Sequence, residues 1–444
     1  MRSVADFARG GGVRTQSVLL VVLWTLLASA IVYESDAYRY VTIALVILAF
    51  TRHKLQIKQA SQDWLAWLCY LWSAYVLLRF LTGIIVFGEK GTSEWLYAFP
   101  AFFPVIGAVL YATRRFLFPA ATFLIICGLI GLVATLDLPA IFRGDRVAPL
   151  FHNNPIHAAV GSSMLFISSL FWLLYVSETA RLATQTRVAL SVIGFVTGIA
   201  SLLGVLGAQS KGAWLALAAT TVFMALLGLS YSRGMRRIQP IAILLILIAI
   251  LAAIALPFVE RVAGSTMTAS NALTTASIAT GDVIGAVANT IEDPLTPQAM
   301  RERLMLWMNA WELVQTSPVI GWGNLWLREW PQTRYANVGY TLLHNGYLEL
   351  LVRHGLVGLA FLLVFTIAAA RRLNLARLSG VLSPSLAGYL YSIAFFFLCT
   401  IASNSNNRLA LGESFFILAG SSIFALTLLR RNTQGKDAPG HNDD

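Results

Sequence analysis

"QPIAILLILIAILAAIALPF", Gln239 to Phe258, holds no Asp, Glu, Lys or Arg. As a helix rising 1.5 Å per residue, such a run spans about 30 Å, the hydrocarbon thickness of a bilayer. The rest of the chain reads the same way. Of its 444 residues 57% are hydrophobic and only 12% are charged, and the mean hydropathy is +0.70. A soluble chain of this length needs far more charge to cover its surface. In lipid every backbone polar group has to be satisfied inside a helix or a closed barrel. Barrel strands would be shorter and would alternate, and these runs do neither. The expected class is an all-α polytopic membrane protein.

Twelve apolar runs fall near 17–33, 38–51, 63–86, 95–113, 116–136, 157–176, 188–207, 213–231, 239–258, 345–369, 382–403 and 410–429. Alternate loops carry the positive charge. One side holds Arg2, Arg9 and Arg14, then Arg52, Lys54 and Lys58, and Arg114 and Arg115. It continues with Arg181 and Arg187, Arg233, Arg236 and Arg237, Arg371, Arg372 and Arg377, and Arg430, Arg431 and Lys436. The short loops of the other side hold only Arg39, Lys90, Arg143, Arg146, Lys211 and Arg408. The positive-inside rule makes the first side cytoplasmic and leaves both termini there. The net charge of +11 is thus spent on topology, and no nucleic-acid partner is expected. Cys69, Cys127 and Cys399 lie inside apolar runs with no metal-ligand or disulfide spacing, and read as small packing residues. The N-terminal stretch leads into a first spanning helix without an evident cleavage site.

The expected organisation is nine spanning helices in 1–258, an outer loop in 259–343, three spans in 344–431 and a cytoplasmic tail in 432–444. The loop is too long for a hairpin connection, and such loops are usually functional or disordered. Its first half, with "GSTMTASNALTTASIATGDVIGAVANT", is small and polar with weak periodicity. Its second half is patterned: Leu304, Trp307, Ala310, Trp311 and Val314 recur at helical spacing, and Pro318 with "GWGN" stops the run. An amphipathic helix across the outer membrane surface is expected there.

The loop ends in "TLLHNGYLELLVRHGLVG", Thr341 to Gly358. His344 stands at the mouth of a helix, whose N-terminal partial charge disfavours imidazolium and keeps the ring able to accept a proton. Asn345 is a good cap or orienting group. The residues alone leave two readings open, a base or a capped helix with an interfacial histidine. Outer-side cations are the second feature: Lys211, Arg146, Arg261, Arg301 and Arg303 run against the topology rule, and such groups recognise phosphate. For any one of them lipid head-group contact is the simpler reading. Glu349 and Arg353 sit four apart in the order favourable for a structural intrahelical pair, and Arg79 lies inside an apolar run. His152 and His157 bracket "HNNPIH" with no metal-ligand company, and no metal site is expected.

Taken together, these residues resemble the O-antigen ligase family. His344-Asn345, nine residues, Gly355, two residues and Gly358 resemble its His-[Asn/Ser/Gln]-x9-Gly-x-x-[Gly/Thr/Tyr] motif. Arg303, Trp307, Ala310, Pro318, Gly321 and Gly323 fall where the family has Arg-x3-Trp, then Ala, Pro and Gly-x-Gly. "AQSKGAWLAL" is similar to its Ser-Arg-Gly turn, with Lys211 keeping the charge but losing the bidentate fork. "FHNNPIHAA" is similar to its weaker Asn-Pro segment. The resemblance implies a C-type-related glycosyltransferase of the bacterial inner membrane with a periplasmic active site. It would move O-antigen from undecaprenyl pyrophosphate to lipid A–core among membrane lipids, with no nucleotide sugar, ATP or active-site metal. His344 would be the general base and Asn345 its orienting group. Lys211 and Arg303 would grip pyrophosphate, with Arg261, Arg301 and Arg146 as further candidates, and the anomeric carbon would invert. The alternatives are an O-antigen polymerase, a protein O-oligosaccharyltransferase or, in another class, a lipid-linked sugar transporter.

Overall fold

The computed structural model describes residues 11–92, 94–179, 182–231 and 235–434, and within these every side chain except those at 11–15, 235–255, 257, 258, 408 and 434. All regular elements among them are helical. The first half comprises α1 (Gly11–Tyr33), α2 (Ala37–Arg52), α3 (Lys54–Ser61), α4 (Trp64–Phe87), α5 (Phe102–Thr113) and α6 (Leu117–Thr135). A short α7 (Leu138–Arg143) precedes α8 (Pro155–Glu178), α9 (Thr184–Gly207) and α10 (Lys211–Tyr231). Then come α11 (Met235–Thr280), α12 (Val283–Glu292), α13 (Gln298–Thr316) and α14 (Trp326–Glu329). The chain closes with α15 (Gly346–Leu378), α16 (Pro384–Ile401) and α17 (Ala410–Gln434). Local chemistry explains several starts. Asp63, Asn154 and Ser383 accept from backbone N–H groups at the heads of α4, α8 and α16, the last two followed at once by proline.

The protein is an all-α, multi-pass membrane protein. Among the described residues nine helical runs are long and apolar enough to span a bilayer, or ten with one bent pair. The difference from the twelve expected spans has three sources. α2 has 16 residues and breaks by 100° into α3. The expected fourth and fifth spans follow one another in a single helical run, Glu94–Thr135, which opens as 3-10 helix over Glu94–Ala101 and passes through a further 3-10 turn at Arg114–Phe116. The ninth, 239–258, lies in α11, where most side chains fall outside the described set. The N-terminal cations Arg2 and Arg9, together with Arg181, Arg233, Lys436, His441 and the tail from 435 onward, also lie outside it.

α11 does not stop at 258. It has 46 residues, about 69 Å at 1.5 Å per residue, over twice the hydrocarbon thickness. The small polar stretch, with its weak helical periodicity in sequence, is therefore helix. Its hydroxyls turn back onto carbonyls one turn earlier: Ser270 to Thr266, Thr274 to Ser270, Ser277 to Leu273 and Thr280 to Ala276, all 2.8 Å. Alanines between them supply helix propensity.

α1 is central, touching α2, α6, α8 and α17. α5 packs along α17, α8 along α9 and α16, and α10 along α16. Two large apolar cores result. One is built around Trp24, Leu45, Ile106 and Phe424, the other around Met164, Phe396, Phe397 and Leu411. α15 joins α17 and α16 to α13, and so links the membrane helices to the loop region.

Candidate active site

α13 carries Arg303 and buries Leu304, Leu306, Ala310, Leu313 and Val314. The expected apolar stripe is present, with one departure: Trp311 is 42% exposed, and the buried face runs through Leu306 and Leu313 instead. The segment after it, 333–344, is laid along α13 by side-chain ties. Glu312 accepts from Arg334 N and Asn309 from Tyr335 N, both at 2.9 Å. The Tyr340 hydroxyl donates to Glu302 at 2.8 Å, and the Trp307 indole N–H donates to the Leu343 carbonyl at 2.9 Å.

This strap delivers His344 to the head of α15. Asn345 is the N-cap, its Oδ1 accepting from Tyr347 N at 3.0 Å and Leu348 N at 3.2 Å. His344 itself has φ +50°, a left-handed backbone that residues with a Cβ seldom adopt. Its half-buried ring meets Tyr340 edge-on, with centroids 6.0 Å apart. Burial lowers its pKa below the ordinary 6.5, and the Arg303 guanidinium lowers it further. The neutral form of the ring is favoured as a result.

Three of the five expected cations converge here. Lys211, at the head of α10, donates to Thr266 of α11 at 2.7 Å. Arg146 donates from Nε to the Ala208 carbonyl at 3.0 Å. Arg303 feels the charge of Arg146, and Lys211 feels that of both. Burial holds Arg303 below its ordinary pKa, with Tyr340 opposing and Arg146 adding to the fall. No carboxylate lies within 4.0 Å of any of the three cations among the described residues. The other two stand apart in role. Arg301 donates to Asp293 O at 2.8 Å and Thr296 O at 3.3 Å, stapling the α12–α13 turn. Arg261 is exposed beside Gly144, in the loop that leads to Arg146.

Residues 195–363 match the O-antigen ligase family. The matched segment runs from within α9 into α15 and contains Lys211, Arg303 and His344. No curated protein matches the chain. The match over this segment supports a ligase- or polymerase-type function in O-antigen processing.

The glycines of the matched segment have a structural reason. Gly355 interrupts α15 with φ +60° and ψ −155°. The break lets "PVIGW" dock there: Leu356 N donates to Pro318 O at 2.8 Å, Val357 N to Val319 O at 3.0 Å, and Trp322 N to Val352 O at 2.8 Å. A Cβ on Gly355 would lie 2.4 Å from the Val319 carbonyl, and one on Gly321 would lie 2.5 Å from the Arg353 carbonyl carbon. Arg79 is explained by the same docking, since it donates to the carbonyls of Ile320 and Gly321.

Glu349 and Arg353 form the expected pair, and both are fully buried. The pair is part of a larger set. Arg353 also donates to Glu94 Oε1 at 3.2 Å and Thr92 Oγ1 at 3.0 Å, over the face of Trp326. Glu349 Oε1 accepts from Leu343 N at 3.3 Å and Ser405 Oγ at 3.1 Å. Glu94 was not picked out in sequence, because nothing local marks it as a partner 259 positions from Arg353. Glu34 was also missed. Its Oε2 takes His157 Nδ1 at 2.8 Å and His152 Nδ1 at 3.3 Å. Burial acts to raise its pKa, but the two histidine hydrogen bonds overcome this and hold it at about 2. His157 in turn bears electrostatically on His344. Among the described residues no group of three or more His, Cys, Asp or Glu is disposed to hold a metal ion.

Proposed function

We propose that the chain is an O-antigen ligase, a glycosyltransferase that moves O-antigen polysaccharide from undecaprenyl pyrophosphate to lipid A–core. The observation that carries this reading is the grouping of Lys211, Arg303 and Arg146, with no carboxylate within 4.0 Å among the described residues, and with Arg303 close enough to His344 to lower its pKa. In this reading His344 takes the proton of the acceptor hydroxyl as that oxygen bonds to the anomeric carbon. The bond from that carbon to the phosphate oxygen breaks, and the leaving pyrophosphate keeps the electron pair. The three cations stabilise the charge that develops on it. One displacement from the opposite face inverts the anomeric centre and needs no metal ion.

The protein would sit in the bacterial inner membrane with both termini cytoplasmic and the site periplasmic. The distribution of charge supports this. Arg372 and Arg431 share Asp63, at 2.5 and 3.6 Å. Arg372 lies 26 residues beyond the head of α15, or about 39 Å of helical rise from the His344 end. The test is a reconstituted reaction in which labelled lipid-linked glycan meets lipid A–core, a second lipid-linked glycan and a pilin-like protein together. Label on lipid A–core supports the ligase. Label on the second glycan or on the protein replaces it with a polymerase or a protein transferase, and donor movement without transfer replaces it with a transporter.

A further inference from the structure

Trp307 donates its indole N–H to a single carbonyl, that of Leu343. We infer that Trp307, aided by the Glu302–Tyr340 tie, is a positioning residue that fixes His344 relative to Arg303. The inference rests on the proposed pairing of those two residues in transfer. Arg303 and Trp307 are four apart on α13, and so project from one helical face. The Trp307 indole holds the Leu343 carbonyl at 2.9 Å. Leu343 is completely buried, and its N–H is taken by Glu349, itself locked to Arg353. Both polar groups of the residue before His344 are thus committed. Asn345 fixes the residue after it by capping α15. Between the two, His344 is kept at φ +50°, a conformation it would leave if either side were released. The path from phosphate grip to proton acceptor is therefore one helical turn, one indole hydrogen bond and one residue. Tyr340, tied to Glu302 on the same helix, lays its ring against His344 and closes the strap from the other side.

Trp307 also packs against apolar neighbours near Leu304 and Met308, so bulk and hydrogen bond have to be separated. Trp307→Phe keeps an aromatic ring and removes the donor. The full chain is purified in lipid, and transfer is followed against pH with the lipid-linked donor varied. kcat is expected to fall about tenfold to a hundredfold, the loss typical of a misplacement near 1 Å, with KM for the donor little changed; thermal stability falls as well, because the buried Leu343 carbonyl loses its donor. The acid limb of the kcat profile should also move to higher pH. Arg303 is the charge that lowers His344, with His157 in the same sense and Glu349 and Glu302 opposing, so a ring freed from Arg303 protonates more readily. An unchanged kcat with an unmoved limb overturns the inference, as does a loss confined to stability. If Trp307→Phe does not accumulate as folded protein, Tyr340→Phe decides: a limb moved upward supports the strap, and an unmoved one refutes it. His344→Ala, run alongside, separates the two levels. Normal transfer by His344→Ala removes the underlying reading, whereas its loss beside an unaltered Trp307→Phe removes this inference alone.

Discussion

Replacing Gly355 by Ala tests whether the break in α15 is what seats the 318–322 segment. The cost has three parts. At φ +60° and ψ −155° the backbone occupies a region essentially reserved for glycine, at about 1–3 kcal/mol for any other residue. The new Cβ would stand 2.4 Å from Val319 C and O and 2.7 Å from Gly321 N, all backbone atoms that no rotamer change can move aside. Relieving that overlap separates the two segments and endangers the bonds from Leu356 N and Val357 N, each worth about 0.5–1.5 kcal/mol. The sum is about 2–6 kcal/mol. Gly380→Ala is the matched control: φ is +70°, but nothing lies within 4 Å, so only the left-handed conformation of about 1–2 kcal/mol is felt. Thermal unfolding of both purified variants in detergent, followed by tryptophan fluorescence, gives the comparison. Gly355→Ala should unfold well below Gly380→Ala and lose transfer with its fold. Equal midpoints would show that α15 tolerates a regular turn at this position, and the account of the docked loop would fail.

His344→Ala should retain its fold and undecaprenyl pyrophosphate binding while losing transfer by about 10²–10⁴-fold, and normal ligation would end its assignment as base. Arg303→Ala and Lys211→Ala should each lose far more transfer than Arg371→Ala, with Lys211→Arg largely active; a Lys211→Ala protein that ligates like the parent would remove that residue from the phosphate site. Because burial and Arg303 both lower His344, the neutral acceptor persists below pH 6.5, and the acid limb of kcat should lie under that value. Arg303→Gln should shift the limb upward in whatever activity remains. Cysteine at position 270 should react with an impermeant thiol reagent in intact spheroplasts, and cysteine at position 440 should not; the opposite labelling would invert the topology.

What was legible in the sequence divides along physical lines. Interactions that close within one helical turn could be read directly. Asn345 caps residues two and three further on, Glu349 reaches Arg353 at i+4, and "SPVIGWG" stops α13. The apolar runs were legible because a bilayer constrains length and composition together; the run 38–51 ends where α2 breaks into α3, but the 100° angle of that break has no signature in composition. α11 misled the reading because hydroxyl-rich sequence looks like loop until its Ser and Thr side chains bond their own helix. Arg303 and Lys211 were nameable one at a time, but their approach depends on α10, α11 and α13 meeting.

The glycine pattern shows most clearly how far sequence reasoning goes. Gly321, Gly323, Gly355 and Gly358 could be matched to a motif by spacing alone, and spacing carried no reason for them. The reason for two of them is mutual. Gly321 has no room for a Cβ because the Arg353 backbone is there, and Gly355 has none because Val319 and Gly321 are there. Each glycine is required by the other segment, so neither requirement exists in the local chain. That contact also joins two parts of the matched segment. It seats the end of α13 on α15 just beyond Glu349 and Arg353, the pair that holds Leu343 and, through it, His344. Glycines committed to backbone contact thereby belong to the same physical unit as the residue proposed to accept the proton.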